Sequence, residues 1–246
     1  GNRQLVSRVL VADTQTPVSA YLKLADDKPN CFLLESVEGG EVRGRFSVIG
    51  LDPDLIWRCR DGRAEINITP ADDSGFQQES LVPLESLRAL MRQSEMPDTG
   101  DLPPMAAGLF GYFGYDMIRL IETIPNANQT AVEMDDSLLL RPSLIAIFDR
   151  LKDNITLVTQ IRPNDWADAK SAWDDAQSRL ATAIEDLDRP LPQTEMGDAN
   201  TPLPEPETNM DKLTFLEMVA KAKDYIRSGD VFQIVLSQRF SIPFHL

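Results

Sequence analysis

The first 70 residues read as strands, short apolar runs parted by polar and glycine-containing turns. Leu55 to Arg60 and Arg63 to Ile68 flank Asp61-Gly62, a pair that suits the type I′ turn because both of its central residues take positive φ. That hairpin sets Leu55, Trp57 and Cys59 on one side and Ile66 and Ile68 on the partner strand. Cys31 to Leu34 and Arg45 to Ile49 predict two more strands joined by a loop that contains Gly39-Gly40. An antiparallel sheet is therefore expected.

Beyond residue 80 the period changes. Pro83 opens a helix in which Leu84, Leu87, Leu90 and Met91 fall at helical spacing. Met105 to Tyr112 and Ser137 to Phe148 predict buried strands, the second turning through Asp149 to Asn154 into Ile155 to Ile161. Asn164 or Asp165 opens a helix with Trp166, Ala169, Trp173, Ala176, Leu180, Ile184 and Leu187 on one stripe, the mark of a helix packed against a sheet. Between Arg189 and Asp211 lie five prolines and few large apolar residues, so ordering that stretch would bury too little surface, and a flexible linker is expected.

After the linker, Thr214 as N-cap and Glu217 form a capping box, and Leu213 with Met218 forms a hydrophobic staple. Phe215, Val219, Ala222 and Ile226 make the buried stripe of this helix and Gly229 stops it. Asp230 to Phe240 then predicts an apolar strand, with Val231, Gln233, Val235, Ser237 and Arg239 on one face. A strand this apolar needs neighbours on both edges, which reads as a chain cut inside a larger protein. The fold class expected is α+β, with mixed or antiparallel sheets and packed helices. The boundaries expected are one domain over residues 1–188, the linker over 189–211 and the start of a second domain over 212–246.

Composition narrows the partners. The net charge of −15 over 246 residues argues against nucleic acid and against an anionic membrane surface. The two cysteines, Cys31 and Cys59, lack metal-ligand spacing and read as small buried hydrophobes, as expected in a reducing cytoplasm. The first residues lack a signal-peptide core and no run reaches the ~20 apolar residues of a membrane span, so a soluble chain is expected. His245 is the only histidine, which argues against a Ser-His-Asp triad or a histidine metal site. Gly108, Gly111 and Gly114 stand three apart, which is not the dinucleotide fingerprint; close backbone approach or a bulge within a sheet explains them better.

Two places carry candidate chemistry. Gln233 is a carboxamide among apolar residues that must find hydrogen-bond partners, and spacing alone favours a structural role. Glu35-Ser36 follows Phe32-Leu33-Leu34 at a strand end: either a solvated terminus, or a carboxylate and hydroxyl that receive a ligand's ammonium group.

Four stretches in order, Leu33-Leu34-Glu35-Ser36 with Gly44-Arg45-Phe46-Ser47, Gly108 to Asp116, Leu144 to Asp149, and Gly229 to Phe240, resemble the anthranilate synthase component I family of chorismate-utilising enzymes. The likeness covers nearly the whole chain but only the amino-terminal half of such a subunit. It implies a regulatory domain over 1–188 and a chorismate-binding domain that begins at 212. It also implies anthranilate and pyruvate made from chorismate, ammonia delivered by a glutamine amidotransferase subunit, Mg2+ held by ligands outside these residues, and feedback inhibition by tryptophan. Part of the tryptophan pocket is implied to come from chain beyond Leu246.

The resemblance assigns Glu35, Ser36, Arg45, Phe46 and Ser47 to that tryptophan site, with Phe46 where many members have Tyr. Related isochorismate and salicylate synthases carry a Lys where this chain has Gln233. An amide is no general base near neutral pH and ammonia needs none, so Gln233 fits amination in a hydrogen-bonding role. The implied isolated activity is nil. The alternatives are aminodeoxychorismate synthase component I of the folate pathway and a non-catalytic amino-acid-sensing module.

Overall fold

The computed structural model describes residues 3–35, 44–71, 73–96, 99–103, 105–125, 133–162, 167–192 and 204–243. Two compact units divide the chain, Gly1–Pro192 and Gln193–Leu246.

The first unit is built on two long strands, β3 (Phe46–Arg60) and β7 (Ser137–Asp149), paired antiparallel along almost their full length. Around them stand β1 (Gln4–Val11), β2 (Phe32–Glu35), β4 (Arg63–Asn67), β5 (Gln77–Gln78), β6 (Phe110–Phe113) and β8 (Asn154–Ile161). The sheet order is β1-β8-β7-β3-β4-β5, with β2 also on β3 and β6 also on β7, and all pairings are antiparallel. The α+β expectation is met.

Two prolines explain why β3 and β7 serve two halves of the sheet. Pro53 stands opposite Pro142 and the register shifts between Pro53 and Leu55, because neither residue can donate to the ladder. Asp54, at that irregularity, binds the guanidinium groups of Arg141, Nε to Oδ1 at 2.7 Å, and of Arg162. On one side of the bend β3 pairs β2 and β7 pairs β8; on the other β3 pairs β4 and β7 pairs β6.

The Asp61-Gly62 hairpin forms as its sequence requires: Arg60 pairs Arg63, and φ is 50° at Asp61 and 69° at Gly62. Trp57 and Cys59 are buried beneath it with Leu87 and Leu90 of α2 (Pro83–Ser94), whereas Ile68, past the end of β4, is exposed. Ser137 to Phe148 and Ile155 to Ile161 are strands as expected, but of Met105 to Tyr112 only Phe110 onward pairs.

The reading of the first 70 residues as strands throughout is wrong at Pro17–Ala25, which is helix α1. Thr16 caps it, accepting from Ser19 N at 3.0 Å while Ser19 Oγ accepts from Thr16 N at 2.9 Å, and Pro17 supplies the fixed φ of the first turn. A second correction concerns α3 (Ala169–Asp188), which starts at an Asp168–Ser171 capping box. Asn164, Asp165 and Trp166 lie outside the described residues. Trp173, placed on the buried stripe by spacing, is half exposed; the buried stripe is Ala172, Ala176, Leu180, Ala183 and Leu187. Small residues win because α3 lies close on the sheet. Together α1 and α3 cover the sheet face carrying Ile49, Leu51, Leu144, Ala146, Phe148 and Leu157. The opposite face carries Val48, Ile145, Ile147 and Val158, packed with Ala106, Phe32 and Phe110.

The second unit holds α4 (Lys212–Ser228). Its N-cap is Asp211, whose carboxylate accepts from Thr214 N at 2.7 Å, so Thr214 is the third helical residue rather than the cap. Leu213, expected in a staple, is exposed, and Gly229 ends the helix at φ 82°. The strand expected over Asp230 to Phe240 is not formed. Only Phe240–Ser241 (β10) pairs, with Glu207–Thr208 (β9), and 230–239 form no ladder, with bends at Asp230 and Phe232. A strand exists only through its partners. Asn209 and Met210 hydrogen-bond Arg239 and Gln238 at the end of that run without forming a ladder, and Phe232 and Val235 are exposed.

Candidate functional site

The start of β3 gathers the sequence-selected residues of the first unit. Glu35 pairs with Ser47, and Ser47 in turn with Phe148, so three neighbouring strands contribute one row of side chains to the face that α1 and α3 cover. Ser47 is fully buried, and among the described residues its hydroxyl has no hydrogen-bond partner. Such a group costs roughly 1 to 3 kcal/mol, a cost that a polar ligand would remove.

Phe46 faces the other way. It pairs opposite Asp149 and packs with the cluster around Ile145 and Ile147, beside the tilted pair Phe32 and Phe110, whose rings lie 5.1 Å apart. Strand alternation thus separates Phe46 from Glu35 and Ser47. Arg45 is committed to Asp149, with Nε to Oδ1 at 2.8 Å and Nη2 to Oδ2 at 2.6 Å, and its guanidinium carbon lies 4.8 Å from the Phe46 ring centre. Arg45 holds the Asp149 carboxyl below the usual carboxylate range, against the opposing effect of burial, and Asp149 raises Arg45 in return.

Spacing alone missed two members of this cluster. Arg150 reaches Glu35, Nη2 to Oε1 at 2.6 Å, and its backbone N–H donates to Arg45 O at 3.0 Å. Asp149 also accepts from Leu151 N at 3.1 Å. The signal in the sequence was a charged pair, Asp149-Arg150, closing an otherwise apolar run. Ser36 lies outside the described residues. Gln233 belongs to the second unit and is exposed on its unpaired segment.

Neither of two cavities in the first unit is lined by Glu35, Arg45, Phe46 or Ser47. One of about 610 Å³ lies against α2 and β6, with Leu87, Met91, Arg92, Phe113 and Leu139 in its wall. The other, about 130 Å³, lies between α1 and α3 near Lys28, Asp52 and Arg179. Gly111 and Gly114 fulfil the close-approach reading: a Cβ would stand 1.9 Å from Leu138 O at Gly111 and 2.7 Å from Asp136 O at Gly114. Among the described residues no group of three or more His, Cys, Asp or Glu is placed to hold a metal ion, and no helix is long and apolar enough to cross a membrane.

A model of the chorismate binding enzyme family matches residues 29–246, and the chain belongs to that family. Anthranilate synthase component 1 of Cereibacter sphaeroides is 44% identical over 248 residues, covering 100% of this chain and 49% of the relative. The Thermus thermophilus protein of the same name is 36% identical, covering 96% and 47%. The crystal structure of anthranilate synthase component I from Streptococcus pneumoniae superposes with a TM-score of 0.64 at 26% identity, over 96% of this chain and 49% of that one. The chain spans about half the length of the curated relatives it matches.

Proposed function

We propose that this chain works as part of an anthranilate synthase component I, a lyase that converts chorismate and ammonia into anthranilate and pyruvate in tryptophan biosynthesis. The observation that carries the proposal is likeness over the whole chain, at 44% identity, to a protein of that name. The folate-pathway alternative, aminodeoxychorismate synthase component I, and a free-standing sensing module are less well supported, since the relatives compared above carry the anthranilate synthase name.

Within that reading the first unit is regulatory. Glu35, Ser36, Arg45, Phe46 and Ser47 belong to a feedback site for tryptophan. The Glu35 carboxylate receives the ligand's ammonium group and the buried Ser47 hydroxyl gains the hydrogen bond it lacks. Arg45 and Phe46 support the site from the ladder: Arg45 fixes the β3 end to Asp149, and Phe46 anchors it in the opposite core cluster. Residues 1–188 make up this domain, 189–211 link it, and 212–246 begin the chorismate-binding domain.

Gln233 serves amination as a hydrogen-bonding group, orienting ammonia or substrate without removing a proton. A glutamine amidotransferase subunit supplies the ammonia in the cytoplasm. Mg2+ supplies Lewis acidity in such enzymes. Its ligands lie outside these residues, and no residue of this chain is assigned to it. The 246 residues alone are expected to form no anthranilate.

NMR titration of the chain with tryptophan tests the reading, since it registers millimolar dissociation constants. Shifts centred on Glu35 and Ser47, weakened by Glu35→Gln and Ser47→Ala, are expected. Tryptophan binding indifferent to both substitutions would overturn the regulatory assignment. Anthranilate fluorescence from chorismate and ammonia with the chain alone would overturn the division of labour.

A further inference from the structure

Glu35 ends β2 and Arg150 directly follows the last residue of β7, the two strands that flank β3. Neighbouring strands stand about 4.8 Å apart, so β2 and β7 are separated by roughly 10 Å. The Glu35–Arg150 ion pair, closed at 2.6 Å, therefore passes across β3. Ser47 lies beneath it: it is the cross-strand partner of Glu35, it is fully buried, and among the described residues its hydroxyl has no hydrogen-bond partner.

The two cations near this row are held unequally. Arg45 is fixed at two points by Asp149, a carboxylate that is itself buried. Arg150 meets Glu35 near solvent, with side-chain exposures of 45% and 28%. Exposed pairs of this kind contribute little net stability, because Coulomb attraction in water is screened and two long side chains must be immobilised. Opening the strap is therefore easy, while the buried hydroxyl under it is the group that gains most from a polar ligand.

We propose that Arg150 is the displaceable counter-ion of Glu35: it neutralises the carboxylate in the ligand-free chain, swings away when an α-ammonium group takes its place, and so sets the affinity of the site for amino acids. This rests on the assignment of Glu35 as the ammonium acceptor. A ligand without an ammonium group has no reason to displace Arg150. Selection between an amino acid and its deaminated analogue then comes from competition for one carboxylate, and the affinity of the amino acid is lowered by the fraction of sites that Arg150 occupies.

The test is NMR titration of the chain with tryptophan and with indole-3-propionate, which keeps the ring and carboxylate but lacks the ammonium group. Arg150→Gln is expected to tighten tryptophan about two- to fivefold, the scale of an exposed ion pair, and to leave indole-3-propionate unchanged. Arg150→Lys, which keeps the cation, is expected to stay within about twofold of the parent, on the same scale.

Unchanged or weaker tryptophan binding in Arg150→Gln, with Glu35→Gln still weakening it, overturns the inference and leaves the site assignment standing. Equal tightening of both ligands makes Arg150 a steric cover and also overturns it. Tryptophan binding indifferent to Glu35→Gln overturns the site assignment and the inference with it.

Discussion

Arg45 and Asp149 tie the first residues of β3 to the last of β7 through two parallel hydrogen bonds, of 2.8 and 2.6 Å, at the edge of the row that contains Glu35 and Ser47. The guanidinium fork matches the carboxylate, and Leu151 N adds a third donor at 3.1 Å. Charge-assisted bonds of this geometry favour the ionised acid, which is why the Asp149 carboxyl is held low although it is buried.

The consequence is a stability that depends on acid. A carboxyl with a depressed folded pKa contributes stability that is complete above its unfolded value, near 4, and is lost as pH falls through the folded one. Asp168 and Asp211, held low by the helix-start N–H groups they accept from, act in the same direction. Urea unfolding of the parent and of Asp149→Asn is expected to show a lower midpoint for the variant at pH 7 and convergence of the two below about pH 4. A gap that stays constant from pH 7 to pH 3 would show that Arg45 and Asp149 contribute through packing alone.

Trp57 makes a different kind of anchor. Its indole N–H donates to Ser86 Oγ at 2.9 Å, and Ser86 Oγ lies 3.4 Å from Glu79 Oε2, so β3, α2 and the segment before α2 share one polar chain inside an apolar cluster. Ser86→Ala strands the indole donor and is expected to cost about 1 to 3 kcal/mol. Trp57→Ala also leaves a cavity and should cost about 3 to 5 kcal/mol. Because the two residues satisfy each other, Trp57→Phe with Ser86→Ala should cost less than the sum of the single changes. Strict additivity in denaturant titrations would rule out the shared bond.

Much of the fold was written locally, and the exceptions have physical causes. Asp61-Gly62 specified its own turn, and the apolar runs of β7 and β8 specified buried strands. α1 was legible in principle, since Thr16-Pro17 with Ser19 is a helix start; a nine-residue helix between strands gives too short a pattern to override the β-period around it. Pairing across distant strands left no local mark. Nothing near Glu35 announces Arg150, 115 residues later, and nothing near Arg45 announces Asp149. The strand expected at Asp230 to Phe240 failed for the opposite reason: its sequence suits a strand, but among the described residues a ladder forms only at Phe240–Ser241.

Gly111 tests whether the glycine spacing is structural. An added Cβ would stand 1.9 Å from Leu138 O and 2.9 Å from Leu138 C, in backbone that cannot swing aside as a side chain can. Gly111→Ala is expected to part β6 from β7 and destabilise the chain by about 1 to 3 kcal/mol, the clash with Leu138 adding to the strain of its own positive φ of 157°. Gly62→Ala, in open space but at φ 69°, should cost about 1 kcal/mol through backbone strain alone. Equal effects at the two sites, by thermal unfolding, would contradict the steric origin of the first.

Cys59 and Cys31 separate chemically although both are free thiols. Burial pushes the Cys59 thiol up to about 11, and the nearby carboxylate of Asp136, 3.9 Å from Sγ, adds to the shift. At pH 8 roughly one part in a thousand of Cys59 is then thiolate, the reactive form. Cys31 is also raised by burial, but it is only partly buried and a backbone contact at Asp52 opposes the shift. Reaction with a disulfide reagent at pH 8 should therefore label Cys31 first, with Cys59 following only when urea unfolds the chain. For Cys59 the sign of the linkage is opposite to that of Asp149: the neutral thiol's contribution is complete below its unfolded value near 8.5 and fades as pH climbs toward 11. Replacing Cys59 with Ala should abolish this alkaline loss with little change at pH 7. Rapid labelling of Cys59 in the folded chain at pH 8 would mean that the hairpin over it opens far more readily than its burial allows.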